Sequence, residues 1–286
     1  MGELAARHAE TPTGTMRSGR ISHATAPLGD SKLHHLVAYP DVLSANTHFL
    51  KPSRPGRFTV AVEVLKRGRR TASVMASLFQ QSQEVIRVLA TCGNLATSSG
   101  PNLRCPTHGH GPPLLPPIKH CVRLPMGSSD PAAVQNSVRQ RVILLTSTSE
   151  AAMFSHVNNR QLTAGKPTHN EESLRPNAKA DYGAWISLVD GEAFTLAAAP
   201  VLLDAGLPPV LAVLNTGWVP TIEWSVQIKQ HPSPGPLRCR FKTTTIAGGL
   251  LEEDGELWDT AGNLVAVSRQ LAMVGARQKR GGRAKL

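Results

Sequence analysis

Strict two-residue alternation in Leu264–Val274 constrains the fold more than any other stretch, because it is typical of a strand with one buried face. One side carries Leu264, Ala266, Ser268, Gln270, Ala272 and Val274, and the other carries Val265, Val267, Arg269, Leu271 and Met273. An amide among small apolar residues needs partners or a cavity, since burying it unpaired costs about 1–3 kcal/mol. Gln270 is therefore a candidate site residue, although this strand alone favours a glutamine bonded to neighbouring backbone.

Length and composition favour an ordinary globular protein. The 286 residues allow one large domain or two smaller ones, and 41% hydrophobic residues supply a core. We expect a soluble chain without a membrane span, because no apolar run approaches about 18–20 residues. The N-terminus has no secretory signal pattern. Four scattered cysteines favour free thiols in a reducing compartment.

The net charge of +11 raises the question of an acidic partner. A nucleic acid is one hypothesis and a nucleotide-linked small ligand is another. The basic residues are not gathered on one helix, and aromatic residues make up only 4% of the chain. Base-stacking surfaces are therefore not expected, and the sequence predicts no nucleic-acid partner.

Five regions follow from the pattern along the chain. Residues 1–40 are interpreted as disordered or degenerate, 41–95 as a strand meander, 96–182 as a proline-rich linker and variable segment, 183–275 as a helix with a second meander, and 276–286 as a basic tail. Tightly connected strands pair antiparallel. The predicted strands are Val42–Leu50, Phe58–Leu65, Thr71–Phe79, Glu84–Cys92, Arg141–Leu145, Trp185–Val189, Thr221–Ile228, Leu237–Thr245, Glu256–Asp259 and Leu264–Val274.

A helix is predicted over Ala193–Leu203, with turns at Gly248-Gly249 and Glu252–Gly255. Asp204 follows this helix directly, at the end where a carboxylate is unfavourable beside the helix dipole. That placement is a weak hint of function.

Several short stretches carry a family resemblance. They are Phe49–Pro52, Val62–Arg69, Gly217–Thr221, Pro234–Phe241, Glu253–Asp259 and Leu264–Ala272. Together they resemble the thioesterase-like superfamily with a double hotdog fold, in particular acyl-CoA thioesterases of the bacterial thioesterase II type and their fungal homologues. The resemblance implies an α+β fold of two antiparallel sheets, each wrapped around a helix.

The resemblance also implies an activity and a site. The family hydrolyses fatty acyl-CoA with a water held by an aspartate, a threonine and a glutamine, which match Asp204, Thr221 and Gln270 here. It implies no cofactor, no metal and a possible homo-oligomer. An alternative is a catalytically silent acyl-CoA-binding or assembly module, because Pro27 and Gly29 interrupt the first hotdog helix within residues 18–40. The first hotdog is therefore expected to be incomplete.

The chain ends in Ala284-Lys285-Leu286, which resembles the C-terminal peroxisomal targeting tripeptide. The sequence thus predicts an import receptor as a partner and a peroxisomal location, with the cytoplasm as the alternative. A zinc site is not expected at Cys105, His108, His110, His120 and Cys121, because their spacing matches no ordinary structural finger. Arg238, Arg240 and Lys242 form either a solvated strand face or a contact for coenzyme A phosphates.

Overall fold

The computed structural model describes residues 14–15, 38–101, 111–124, 142–154, 178–188, 191, 193–214, 216 and 219–274. The chain divides into two compact units, residues 1–97 and 98–286. The first hotdog helix was expected to be interrupted within residues 18–40, and residues 18–37 of that segment lie outside the described residues. The whole C-terminal tail lies outside them as well. No helix in the described ranges is both long and apolar enough to cross a membrane.

The first unit is an antiparallel meander. Its strands are β1 (Gly14–Thr15), β2 (Asp41–Phe49), β3 (Arg57–Arg67), β4 (Ala72–Gln80) and β5 (Gln83–Gly93), in the sheet order β1-β3-β4-β5-β2. The four strands predicted here are confirmed, with ends that differ by one or two residues. A two-residue turn, Gln81-Ser82, joins β4 to β5, and both residues have positive φ.

The second unit is a larger antiparallel sheet. Its strands are β6 (Val122–Arg123), β7 (Val142–Thr146), β8 (Asp181–Leu188), β9 (Thr221–Ile228), β10 (Leu237–Lys242), β11 (Ile246–Ala247), β12 (Leu250–Trp258) and β13 (Leu264–Met273). The order is β9-β13-β12-β10-β8-β7-β6, with β11 beside β12. Parts of the expected linker therefore belong to this sheet as β6 and β7, and the strand predicted at Arg141–Leu145 is confirmed.

The α-helices among the described residues are short: α1 (Thr148–Met153), α2 (Ala199–Asp204) and α3 (Val210–Val213). The predicted helix Ala193–Leu203 is wrong in its first half, where a 3₁₀ turn at Leu196–Ala198 precedes α2. The reason is Pro200, which has no N–H for an interior helical bond and is tolerated only in a first turn. The helix consequently starts at Ala199 and includes Asp204 as its last residue.

The turn predicted at Glu252–Gly255 is also wrong, because these residues lie inside β12. The chain turns earlier, at Gly248-Gly249, where φ is +59° and +83°. The two-residue alternation continues through the three acidic residues of the predicted turn. Leu251, Glu253 and Leu257 are buried on one face of this strand.

An aromatic cluster packs the segment after α2 against the sheet. The rings of Phe154 and Tyr182 lie 4.9 Å apart, those of Tyr182 and Phe241 lie 5.6 Å apart, and the Tyr182 hydroxyl donates to the Leu207 carbonyl at 2.9 Å. A Cβ on Gly206 would come within 2.8 Å of both the Phe241 ring and the Tyr182 hydroxyl. A glycine is therefore needed at this position, two residues after α2 ends.

Candidate active site

Two side chains from neighbouring strands join on the buried face of the second unit's sheet. Thr221, the first residue of β9, donates a hydrogen bond from Oγ1 to Oε1 of Gln270 on β13, at 2.6 Å. Gln270 is only 6% exposed. A buried amide oxygen that accepts a hydrogen bond from a hydroxyl is satisfied, and this bond fixes the orientation of the amide.

An irregularity in the β9–β13 pairing brings Thr221 to this face. Trp224 lies opposite Gln270 and Glu223 lies opposite Leu271, but the next residue of β13, Ala272, lies opposite Thr221. Ile222 is thus the extra residue of a β-bulge. Simple alternation would put Thr221 and Trp224 on opposite faces, and the bulge re-aims Thr221 to the side of Gln270.

The helices cover the rows of the sheet on either side of Gln270. Gly255 and Ser268 form one register pair, and Leu203 of α2 lies over it, 3.1 Å from where a Cβ on Gly255 would be. On the other side, Leu251 and Ala272 form a register pair that packs with Val210 of α3. The row of Gln270 lies between these two covered rows.

Asp204 is placed by the same helix. It is the last residue of α2, directly after Leu203, and its side chain is exposed. Of the three residues predicted for the site, the structure joins Thr221 and Gln270 by a hydrogen bond. It brings Asp204 to the same side of the sheet through the packing of Leu203.

Glu253 was missed by the sequence reasoning. It lies directly opposite Gln270 in the β12–β13 pair and is only 5% exposed. Side chains directly opposite each other in an antiparallel pair share a face. The signal was present in the sequence as alternation with Leu251 and Leu257, and it was masked by the acidic residues on either side.

Trp224 occupies the other side of Gln270. It is the register partner of Gln270 on β9, and its indole Nε1 is buried with no hydrogen-bond partner among the described residues. An indole nitrogen is only a donor. Trp224 therefore presents an unused N–H beside the site amide.

The basic residues of β10 are engaged by other protein groups. Arg240 pairs with both carboxylate oxygens of Asp181, at 2.9 and 2.6 Å, and this hydrogen bonding raises the pKa of the Arg240 guanidinium. Arg238 lies over the Trp185 ring, 5.5 Å from its centroid. Lys242 Nζ is 3.9 Å from Asp254. This arrangement fits the solvated-face interpretation better than a dedicated phosphate contact.

Cysteine nucleophiles are disfavoured in the part of the chain that the structure describes. Burial raises the pKa of the Cys239 thiol far above its ordinary value, and Sγ donates to the Ala184 carbonyl at 3.3 Å. Burial also raises the pKa of Cys92 and Cys121. Thiols with raised pKa values are poor nucleophiles at neutral pH.

A metal centre has no candidate in the described ranges, where no three His, Cys, Asp or Glu side chains gather. Cys105, His108 and His110 lie outside those ranges.

Comparison with known protein families matches both parts of the chain. Residues 127–274 match the acyl-CoA thioesterase C-terminal domain, and residues 23–93 match the acyl-CoA thioesterase N-terminal domain. The chain belongs to the acyl-CoA thioesterase family. The C-terminal match contains the Thr221–Gln270 pair, Asp204 and Glu253.

Two solved structures and one further protein sequence are similar to this acyl-CoA thioesterase family member. A Thermobifida fusca protein named as a thioesterase II is similar with a TM-score of 0.67 and 26% identity, over 84% of this chain and 82% of that one. A hotdog-fold protein from Alicyclobacillus acidocaldarius is similar with a TM-score of 0.62 and 16% identity, over 86% and 84%. An uncharacterised protein of Mycobacterium tuberculosis is 25% identical over 82% of this chain and 77% of its own length. The chain thus has a hotdog-type fold of antiparallel sheet with few helices.

Proposed function

We propose that this protein hydrolyses fatty acyl-CoA to a free fatty acid and coenzyme A. The observation that supports this most is the buried hydrogen bond between Thr221 and Gln270, on a sheet face flanked by α2 and α3, in a chain of the acyl-CoA thioesterase family. The proposed site consists of Asp204, Thr221 and Gln270.

Thioester hydrolysis requires a water aligned with the carbonyl carbon and stabilisation of the oxyanion that forms. The Thr221 hydroxyl already donates its hydrogen bond to Gln270, so Thr221 Oγ1 is left as an acceptor that can orient a water. The Gln270 amide N–H groups are donors for the oxygen on which negative charge develops. Asp204 takes the proton of the attacking water as general base.

In the first step, the water oxygen adds to the thioester carbonyl carbon while a proton of the water passes to Asp204. The tetrahedral intermediate then collapses, the C–S bond breaks, and the electron pair leaves with the coenzyme A thiolate. The proton held by Asp204 returns to that thiolate. Since a thiolate leaves readily, no strong acid is needed beside the sulfur.

We further propose the finer architecture of a double hotdog, in which each unit's sheet wraps a helix. The packing of Leu203 in α2 on the β12–β13 pair supports this for the second unit. Association into a homo-oligomer and import into peroxisomes through Ala284-Lys285-Leu286 are part of the same proposal. The tail lies outside the described residues, so the tripeptide alone supports the targeting.

Thiol release from butyryl-, octanoyl- and palmitoyl-CoA tests the proposal. The wild-type protein is expected to release thiol from at least one of them, and Asp204→Asn is expected to lower kcat on the order of 10²-fold, as loss of a general base does. Asp254→Asn is the matched control, because Asp254 pairs with Arg269 on the opposite face of the sheet.

Calorimetry on the same substrates separates hydrolysis from mere binding. Acyl-CoA binding without thiol release at any chain length would contradict the hydrolase and favour the silent binding module.

A further inference from the structure

The turn between β3 and β4, residues 66–70, carries a cluster of cations and is called the basic turn below. Around Gly68 it places Lys66, Arg67, Arg69 and Arg70, all of which are exposed. Among the described residues, Lys66, Arg69 and Arg70 form no ion pair with a carboxylate. Exposed cations this close together repel one another and produce a concentrated positive field. An anionic partner would relieve that repulsion.

Hydrogen bonds hold the backbone of the basic turn in one shape. The Gly68 N–H donates to the Thr71 carbonyl at 2.8 Å, and the Tyr39 hydroxyl donates to the Gly68 carbonyl at 2.5 Å. Asp41 brings a carboxylate to the same end of the sheet, where it accepts from the Leu95 N–H at 2.7 Å. The cations thus extend from a fixed backbone, and a partner that binds them does not have to order it.

An exposed apolar side chain lies directly beside these cations. In the β3–β4 pairing, Val64 lies opposite Val74 and Lys66 lies opposite Ser73. Leu65, between them, is therefore the extra residue of a β-bulge, and it is 49% exposed. A leucine next to unpaired cations fits a partner that is anionic and can also bury an apolar group.

We propose that the basic turn, together with Leu65, docks on the surface of an anionic lipid bilayer. The cations pair with anionic headgroups, and Leu65 enters the boundary between headgroups and acyl chains. A nucleic acid also offers phosphates, but its backbone gives Leu65 no place to bury. Residues 66–71 also contain no aromatic ring on which a base could stack. This docking is independent of the hydrolysis proposed above.

The contribution of each side chain sets the expected effect of its replacement. A lysine or arginine near an anionic membrane contributes about fivefold in affinity, so Arg69→Gln/Arg70→Gln should weaken binding about 25-fold. Leu65→Gln should weaken it about fivefold, because about half of this side chain is already covered. Lys119→Gln/Arg123→Gln is the control, since it removes the same charge from two other exposed residues.

Co-sedimentation of the full chain with lipid vesicles measures these differences. Vesicles of phosphatidylserine and phosphatidylcholine in equal parts are compared with vesicles of phosphatidylcholine alone. The wild-type protein should bind the anionic vesicles at about 0.1 M salt and leave them at about 1 M, where the screening length falls from about 10 Å to about 3 Å. It should bind phosphatidylcholine alone only weakly, and the control variant should bind like the wild type.

An unchanged affinity in Arg69→Gln/Arg70→Gln, or an equal loss in the control, would overturn the proposal. Equal binding of the wild type to both kinds of vesicle would overturn it as well. If the arginine variant lost binding to a single-stranded DNA but kept its vesicle binding, the basic turn would be a nucleic-acid surface instead. Circular dichroism checks that each variant is folded, which is expected because the substituted residues are exposed.

Discussion

Gly255 lies in β12 beneath α2, and its replacement by alanine measures how tightly Ser268 and that helix pack around it. A Cβ at this position would lie 2.5 Å from Ser268 Oγ and 3.1 Å from Leu203 Cδ2. Both contacts are too short for a close-packed interior, so a neighbour has to move. Overpacking of this kind costs about 1–3 kcal/mol.

An opposing effect comes from the unfolded chain. Alanine restricts that chain more than glycine does, which stabilises the folded protein by about 0.4–1 kcal/mol where the backbone permits it. Gly255 is not among the described glycines with positive φ, so alanine is compatible with its backbone. The steric cost is the larger of the two, and the predicted net loss of unfolding free energy is roughly 1–2 kcal/mol.

Urea unfolding followed by circular dichroism measures this loss, and a second background identifies its cause. In Ser268→Ala the 2.5 Å contact is gone and the 3.1 Å contact with Leu203 remains, so adding Gly255→Ala should cost about 1 kcal/mol less than it does in the wild-type protein. Gly100→Ala is the control, because no atom lies within 4 Å of its Cβ position. An equal loss in both backgrounds, or no loss in either, would refute the close contact between the Gly255 position and Ser268.

Two further predictions concern buried hydrogen bonds. Thr221→Val should lower the unfolding free energy by about 1–3 kcal/mol, because Gln270 Oε1 loses its donor. Thr221→Ser keeps a hydroxyl and should retain most of the wild-type unfolding free energy. Equal unfolding free energies of the two variants in urea would contradict the hydrogen bond. Burial alone would raise the pKa of Asp259, but hydrogen bonds from Asn263 and Ser233 lower it overall. Its stabilisation is thus present above the ordinary aspartate pKa of about 3.9 and is lost as pH falls through the lower folded value. Asp259→Asn should therefore be less stable than wild type at neutral pH, with a gap that narrows in acid, and a gap independent of pH would contradict this sign.

Alternation within one strand predicted burial well. The side of β13 that carries Ala266, Ser268, Gln270 and Ala272 is buried, while Arg269, Leu271 and Met273 are exposed. Side-chain direction alternates in any strand, so the face of Gln270 follows from its own neighbours alone. The partner of Gln270 does not, because it depends on the register with another strand.

The bulge at Ile222 illustrates that limit. Alternation along β9 places Thr221 on the same face as Glu223, and only the pairing with β13 shows that Thr221 lies on the face of Gln270. Thr221 was nevertheless named for the site, and that assignment came from the family resemblance. Periodicity by itself would have placed its hydroxyl on the wrong face.

Glu253 shows the opposite error, in which composition overrode a correct periodic signal. An acidic run is usually solvated, and two of its three members, Glu252 and Asp254, do lie on the less buried face of β12. Glu253 is buried directly opposite Gln270. That neighbour follows only from the pairing of β12 with β13, which the sequence of β12 alone does not give.

In the proposed function, thioester hydrolysis depends on the buried side of β13. The most direct measurement is the single-turnover rate of thiol release in Gln270→Ala compared with Leu271→Ala, since these adjacent residues face opposite sides of one strand. The rate in Gln270→Ala should be lower on the order of 10²–10³-fold, as for loss of an oxyanion donor, and the rate in Leu271→Ala should be unchanged. Equal rates in the two variants would contradict it.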